Sequence, residues 1–154
     1  MGWVNELISR LTREPVLQGT QVNATLSTNT ATFPLNRTMY VDFTHDNLMI
    51  AIFSAMGLFK QPQPLDPTNP DPKRTWVVSK MIPFSARMIV EKLACGDQAN
   101  GKAGDFVRIL VNEVVQPLPF CGGSEAGLCS LDDFVKSQGY ARSNGGGDFE
   151  RCWS

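Results

Sequence analysis

The pair His45-Asp46 is the part of the sequence best suited to chemistry. It stands between residues 39–44, a β-branched and aromatic run that predicts a strand, and residues 48–59, an apolar run that predicts a helix. A helix N-terminus presents free backbone N–H groups and a partial positive charge, so it attracts anions. A histidine there can donate a hydrogen bond to a phosphate oxygen, and the neighbouring carboxylic acid can protonate a departing alkoxide. The alternative is structural: Asp46 caps the helix and His45 packs beneath it.

Composition and charge limit what the chain can do. His45 is its single histidine, which excludes a mechanism or a zinc site that needs two histidines from these residues. Lysine and arginine together number 14 against 15 acidic residues. Because there is no basic surplus to neutralise phosphates, we expect no nucleic-acid partner. Residues 48–59 fall short of the ~20 apolar residues of a membrane-spanning helix, so we expect no membrane partner either.

The cysteines leave more than one interpretation open. Cys95, Cys121, Cys129 and Cys152 allow three pairings into two disulfides. Only Cys121 and Cys129 are close in sequence, across a glycine-rich loop that can bring their Cα atoms within disulfide range. Four free thiols, as in a cytosolic protein, are the alternative.

Two glycosylation sequons, at Asn23 and Asn36, favour a secreted origin when taken with the even number of cysteines. The first residues, however, do not show a basic segment followed by a long apolar core, so we recognise no secretory signal. Both observations agree if the chain is the C-terminal part of a longer secreted protein.

The elements around the motif follow from apolar spacing and turn residues. Residues 3–13 have apolar positions at helical spacing and predict an amphipathic helix, and residues 17–38 predict an exposed excursion. The helix over residues 48–59 is apolar on all sides, so we expect it to be buried. Residues 61–72 contain five prolines and predict an irregular loop.

The second half of the chain is richer in predicted strands. Residues 76–78 and 81–84 suggest edge strands, whereas residues 86–93 fit a strand or a helix equally well. Residues 106–115 predict a hairpin with Asn112-Glu113 at its turn. A short helix is predicted over residues 132–136.

The His-Asp pair belongs to a longer pattern that runs through nearly the whole chain. The segments are NELISRLT (5–12), ATFPLN (31–36), THDNLM (44–49), IFSAMGL (52–58), PFSAR (83–87), VNEVVQPL (111–118), DFV (133–135) and ARS (141–143). In this order they resemble the C-terminal third of filamentous-fungal phytases, of the histidine acid phosphatase family. The resemblance implies that residues 1–154 form the C-terminal part of an α/β sandwich. That fold is a mixed sheet flanked by helices, and it is incomplete without the upstream half.

The resemblance also implies a reaction. In that family a histidine within Arg-His-Gly-x-Arg-x-Pro attacks phosphorus, which releases phosphate stepwise from phytate (inositol hexakisphosphate) and similar monoesters at acidic pH. Carried over to this chain, Asp46 is the proton donor, His45 binds the phosphate, and Asn47 is a secondary candidate for a substrate contact. No metal or other cofactor is implied, because arginines and the helix end hold the charge.

One departure from the family pattern restricts this expectation. The sequence has no Arg-His-Gly-x-Arg-x-Pro segment, so we expect the nucleophile to lie upstream and this chain alone to be inactive. The resemblance further implies a Cys121–Cys129 disulfide and leaves Cys95 and Cys152 without partners in this chain. A non-catalytic remnant and a structural or phosphate-binding domain are the alternatives.

Overall fold

The helices of this chain lie mainly in its first sixty residues and after residue 130. A computed structural model describes residues 1–96, 103–124 and 126–153. Its α-helices are α1 (Gly2–Thr12), α2 (Ala24–Ser27), α3 (Asp46–Met56), α4 (Val78–Met81), α5 (Leu131–Ser137) and α6 (Gly139–Arg142). Short 3-10 helices span Pro119–Cys121 and Glu150–Cys152. In the described part of the chain, no helix is long and apolar enough to cross a membrane.

A small sheet lies between the two helical regions. Its strands are β1 (Met88–Cys95), β2 (Gly104–Val111), β3 (Val114–Val115) and β4 (Cys129–Ser130), and every pairing is antiparallel. β1 pairs with β2 over its full length, whereas β3 and β4 pair with different parts of β2. Helices together with this sheet confirm the predicted α/β class.

The core forms where α1, α3, α5 and α6 pack together and against β2. Period-two alternation directs three side chains of β2 inwards, and each is at most 3% exposed: Val107, Ile109 and Val111. The four helices contribute further buried residues to the core: Val4, Leu7, Leu11, Ile52, Phe53, Met56, Phe134 and Ala141. One continuous apolar cluster therefore joins α1 and α3 to α5, α6 and β2.

The predicted hairpin turn is confirmed at Asn112-Glu113. Both residues have positive φ, 49° and 68°, as the two central residues of a type I′ turn require. Asn112 Nδ2 donates to the Met81 carbonyl at 2.9 Å, while its Oδ1 accepts from Arg87 N–H at 3.1 Å. Arg87 also pairs with the Glu113 carboxylate at 2.5 Å. The turn is thus tied to the chain that enters β1.

The strand predicted over residues 39–44 is not formed. These residues lie outside the strands, and no backbone–backbone hydrogen bond reaches them in the described part of the chain. Met39, Val41 and Phe43 are 76%, 60% and 94% exposed. A strand requires a neighbouring strand to satisfy its N–H and C=O groups, and none lies alongside among the described residues.

Two further expectations are wrong. Residues 76–78 and 81–84 do not form strands, because residues 78–81 close one helical turn with hydrogen bonds such as Met81 N–H to the Val77 carbonyl at 3.0 Å. The apolar helix α3 is not buried all round. Its buried residues are Ile52, Phe53 and Met56, while Leu48 is 49% exposed. The first turn of α3 therefore extends beyond the core.

Candidate active site

Helix α3 begins at the His-Asp motif and is fixed at its opposite end. His45 occupies the N-cap with an extended backbone, and its carbonyl accepts the first helical hydrogen bond from Met49 N–H at 3.1 Å. Gly57 ends the helix with a left-handed backbone, φ +82°, and its N–H donates to the Ser54 carbonyl at 3.1 Å. Since the C-terminal half of α3 is in the core, the motif lies at the solvent end of an anchored helix.

The motif side chains are open to solvent. His45, Asp46 and Asn47 are all exposed. Asp46 Oδ1 accepts a hydrogen bond from the Asn47 N–H at 2.7 Å, and the His45 side chain makes none to any described residue. His45 therefore does not pack beneath the helix, as the structural alternative supposed. The arrangement places an imidazole and a carboxyl group on consecutive exposed residues at the positive end of a helix.

A charged cluster joins α1 to the segment that leads into the motif. Arg10 donates to both Asp42 carboxylate oxygens, from Nη1 at 2.6 Å and from Nη2 at 3.3 Å. The indole Nε1 of Trp3 donates to the same carboxylate at 2.9 Å. A carboxylate bound by a forked guanidinium has a well-defined orientation, so Asp42 is fixed three residues before His45.

The same cluster shifts the pKa values of two acids in opposite directions. Burial raises the pKa of Asp42, but hydrogen bonds from Arg10 and Trp3 outweigh it, and the net pKa lies below its ordinary value. The pKa of Glu6 is raised, chiefly by burial, with Arg10 opposing the change and Asp42 adding to it. The two carboxyl groups therefore respond differently to acid although they share a neighbour.

The other predicted site residues lie away from the motif. Cys121 and Cys129 form a disulfide, and their Cα atoms are 6.1 Å apart. Cys95 is partly buried and Cys152 exposed, and both are free thiols. The sequon residues Asn23 and Asn36 are exposed, and Asn23 Oδ1 accepts from Thr25 N–H at 3.0 Å.

An open groove lies at the far end of α3 rather than at the motif. It encloses about 800 Å³ beside Gly57, the proline-rich loop, Trp76, Phe120 and Tyr140. Since α3 has 11 residues, the groove lies roughly 16 Å along the helix from His45. No group of three His, Cys, Asp or Glu side chains is arranged to hold a metal ion in the ranges that the structure describes.

Sequence reasoning missed the cluster that supports the motif. Arg10 falls on the polar side of a predicted amphipathic helix, and Asp42 interrupts an otherwise apolar run. The interruption marks Asp42 as unusual, but it does not indicate which residue pairs with it. The partner itself is 32 residues away in sequence, and only the fold brings it near.

Known proteins resemble this chain over its whole length. Residues 1–112 match the model of the Histidine phosphatase superfamily (branch 2). Phytase A of Aspergillus fumigatus is 44% identical over 157 aligned residues, which cover 100% of this chain and 32% of that protein. Phytase A of Arthroderma benhamiae is 45% identical over 151 residues, covering 96% and 33%. The chain thus spans about a third of the length of the curated relatives it matches.

A solved structure shares the fold. The crystal structure of the phytase from D. castellii superposes with a TM-score of 0.60 at 23% sequence identity, over 92% of this chain and 27% of that chain. This likeness supports the architecture described above. With the sequence matches, it confirms the resemblance that the ordered segments indicated.

Proposed function

The chain belongs to the histidine phosphatase superfamily, and from this membership we propose that it is part of a phosphomonoester hydrolase of the histidine acid phosphatase type. The proposed substrate is phytate, which the names of the relatives suggest, and the proposed working pH is acidic. The observation that carries the proposal is the exposed His45-Asp46 pair at the first turn of α3.

Asp46 is the proposed proton donor. In the proposed reaction a nucleophilic histidine forms a nitrogen–phosphorus bond as the bond between phosphorus and the ester oxygen breaks. The leaving oxygen takes the electron pair and accepts the proton of the Asp46 carboxylic acid, so an alcohol departs. The carboxyl group donates only while it is protonated, which favours acidic conditions. Its exposure leaves it accessible to an ester.

His45 is the proposed phosphate ligand, and Asn47 the secondary contact. A protonated imidazole donates from both ring nitrogens, and the backbone N–H groups of Asp46 and Leu48 at the start of α3 add donors. These groups stabilise negative charge on the phosphoryl oxygens.

The nucleophile is proposed to lie in a different part of a longer protein. His45 is the single histidine of these 154 residues and already has a role. We therefore propose that the missing N-terminal half of the parent supplies the attacking histidine and that the isolated chain is inactive. Secretion of the parent, glycans at Asn23 and Asn36, and pairing of Cys95 and Cys152 with upstream cysteines belong to the same proposal.

A chimera tests the catalytic role. This chain would replace the matching third of the Aspergillus fumigatus Phytase A, and phosphate release from phytate would be measured at acidic pH. Asp46→Asn should lower phytate turnover by about 10²–10⁴-fold, because the alkoxide leaves without a proton. Turnover of p-nitrophenyl phosphate should fall less, since its leaving group is stable as an anion.

Asp132→Asn is the matched control, because Asp132 is also an exposed acid in the first turn of a helix, α5. It should leave both rates unchanged. Full phytate turnover by the Asp46→Asn chimera would refute the proton-donor role, and hydrolysis by the isolated chain would refute the need for an upstream histidine.

The lone histidine also favours a second candidate, a remnant that binds phosphate without catalysis. It predicts that the chimera is inactive although it folds, while the isolated chain still binds inorganic phosphate at His45. An active chimera would exclude it.

A further inference from the structure

The segment that leads into the motif is held by side chains rather than by a backbone ladder. Along residues 39–44, Tyr40 and Asp42 contact Arg10 of α1, whereas the intervening side chains are 60–94% exposed: Met39, Val41 and Phe43. No backbone–backbone hydrogen bond to these residues is present where the structure describes the chain. The side chain of Asp42 is therefore the main polar attachment of this segment to the helical core.

Arg10 is built into its place by more than one contact. Its guanidinium carbon lies 5.3 Å from the centre of the Phe33 ring and 5.1 Å from that of Tyr40. These distances are in the range of cation–π attraction. The Arg10 side chain is 15% exposed, against 39% for Asp42. A planar cation near two rings, with both terminal nitrogens on one carboxylate, is restricted in its orientation.

We propose that Arg10 and Trp3, acting through Asp42, are positioning residues that hold the His45-Asp46 motif at the N-terminus of α3. The motif lies between two fixed points: the Asp42 carboxylate on α1, and the buried residues of α3 that begin at Ile52. Between them, Phe43 and Thr44 make no hydrogen bonds to the described residues. Release of Asp42 therefore leaves the N-cap without support on its upstream side.

This inference rests on the proposed function, because positioning matters only if the motif contacts a phosphoryl group. Arg10 is not proposed to touch substrate. Both terminal nitrogens of its guanidinium donate to Asp42, so its contribution to binding is indirect: it lowers the number of conformations that the motif samples before phosphate binds.

The single histidine permits a direct test on the 154-residue chain. Inorganic phosphate would be titrated at acidic pH while the ¹³C-labelled His45 ring is followed by NMR. Asp42→Asn should weaken the apparent affinity about two- to threefold, the size expected for losing one partly exposed ion pair. Trp3→Phe, which removes one donor and keeps an aromatic ring, should weaken it about twofold. Asp42→Glu keeps the carboxylate and should restore most of the affinity.

Glu91→Gln is the matched control. Glu91 pairs with Arg108 at 2.6 Å with similar partial exposure, but this pair lies on the sheet. The substitution should leave the His45 titration unchanged. Amide hydrogen exchange gives a second measurement that needs no phosphate. Asp42→Asn should speed exchange at Met49, whose N–H bonds to the His45 carbonyl, and not at Leu58, whose N–H bonds to Phe53.

The outcomes separate the two proposals. A folded Asp42→Asn chain with unchanged phosphate affinity and unchanged Met49 exchange overturns the positioning role. If the unaltered chain shows no saturable shift at His45, phosphate binding in the proposed function fails, and the Met49 amide alone decides whether Asp42 holds the motif. If Asp42→Asn unfolds the chain, Trp3→Phe decides in the same two measurements.

Discussion

Residues 39–44 and strand β1 both combine β-branched residues with charged ones, yet only β1 forms a strand. β1 exchanges backbone hydrogen bonds with β2 along its whole length. Residues 39–44 have no strand beside them in the described chain, and Phe43 is 94% exposed. β-branched and aromatic residues favour a strand only when a neighbour supplies the ladder and a surface to pack on. The comparison therefore shows that a high strand propensity does not produce a strand unless a second strand pairs with it.

The largest change in stability is expected in α3, the helix that follows residues 39–44, at its buried C-terminal half. Phe53 is 0% exposed and contacts Phe59 edge to face at 5.5 Å. Phe53→Ala should lower the free energy of unfolding by about 3–5 kcal/mol, because it removes buried area and leaves a cavity. Phe43→Ala should change it by less than about 0.5 kcal/mol. Urea unfolding followed by circular dichroism compares them, and equal losses would mean that residues 39–44 are buried in solution.

The second effect concerns the covalent link on the sheet side of the molecule. Replacing Cys121 and Cys129 together by serine should cost about 2–3 kcal/mol, since the disulfide restricts a short loop of the unfolded chain. Cys95→Ser with Cys152→Ser is the control and should have little effect. Intact mass after alkylation of the unaltered, unfolded chain should show two modified thiols; none would contradict the pairing.

Substitutions in the hairpin turn should change the free energy of unfolding by less, and the two described here should change it in opposite directions. Glu113→Gly should raise the free energy of unfolding by about 0.5–1 kcal/mol, because glycine accepts the positive φ of 68° without strain. The exposed Arg87 pair that it loses is worth less. Asn112→Ala should lower stability by about 1–2 kcal/mol, since it loses hydrogen bonds to Met81 and Arg87. Thermal unfolding of the two variants measures the contrast, and opposite signs are expected.

The smallest effects are pH-dependent and belong to the cluster beside residues 39–44. The folded-state pKa of Asp42 lies below its ordinary 3.8, so its stabilisation is present above that pH and is lost as pH falls through the folded value. Asp42→Asn should remove a few tenths of a kcal/mol from stability at neutral pH, allowing for solvent screening. The loss should shrink in acid.

The stability contribution of Glu6 changes with pH in the opposite direction. Its pKa is raised in the folded chain, so its contribution is complete below its ordinary 4.5 and is lost as pH rises through the folded value. Glu6→Gln should therefore stabilise the chain slightly at neutral pH and not at low pH. Unfolding curves between acidic and neutral pH distinguish the two acids; parallel pH profiles would contradict the assigned directions.

The sequence predicted elements whose stabilising contacts are local. The amphipathic spacing of α1, the turn at Asn112-Glu113 and the start of α3 at the His-Asp pair each depend on neighbours within a few residues. Residues 39–44 failed as a strand because pairing is a long-range property. The strands predicted over residues 76–78 and 81–84 are absent because residues 78–81 form a single helical turn instead.

The residues of the candidate site likewise fall into those that the sequence identified and those that it did not. His45 and Asp46 were identified from their types, their place before an apolar helix and the surrounding resemblance. Trp3, Arg10 and Asp42 were not identified, because α1 and the segment after residue 38 give no local signal of their contact. A contact between distant segments becomes visible only when the packing of α1 on α3 is known.

The opposite environments of the two ends of α3 have a practical consequence. Its last turns are fixed in the interior, and its first residues are exposed to solvent. Replacing side chains at positions 45–47 should therefore leave the folded scaffold intact. A change in reactivity after such a replacement can then be attributed to the altered group itself. Substitutions at these positions therefore separate effects on catalysis from effects on folding.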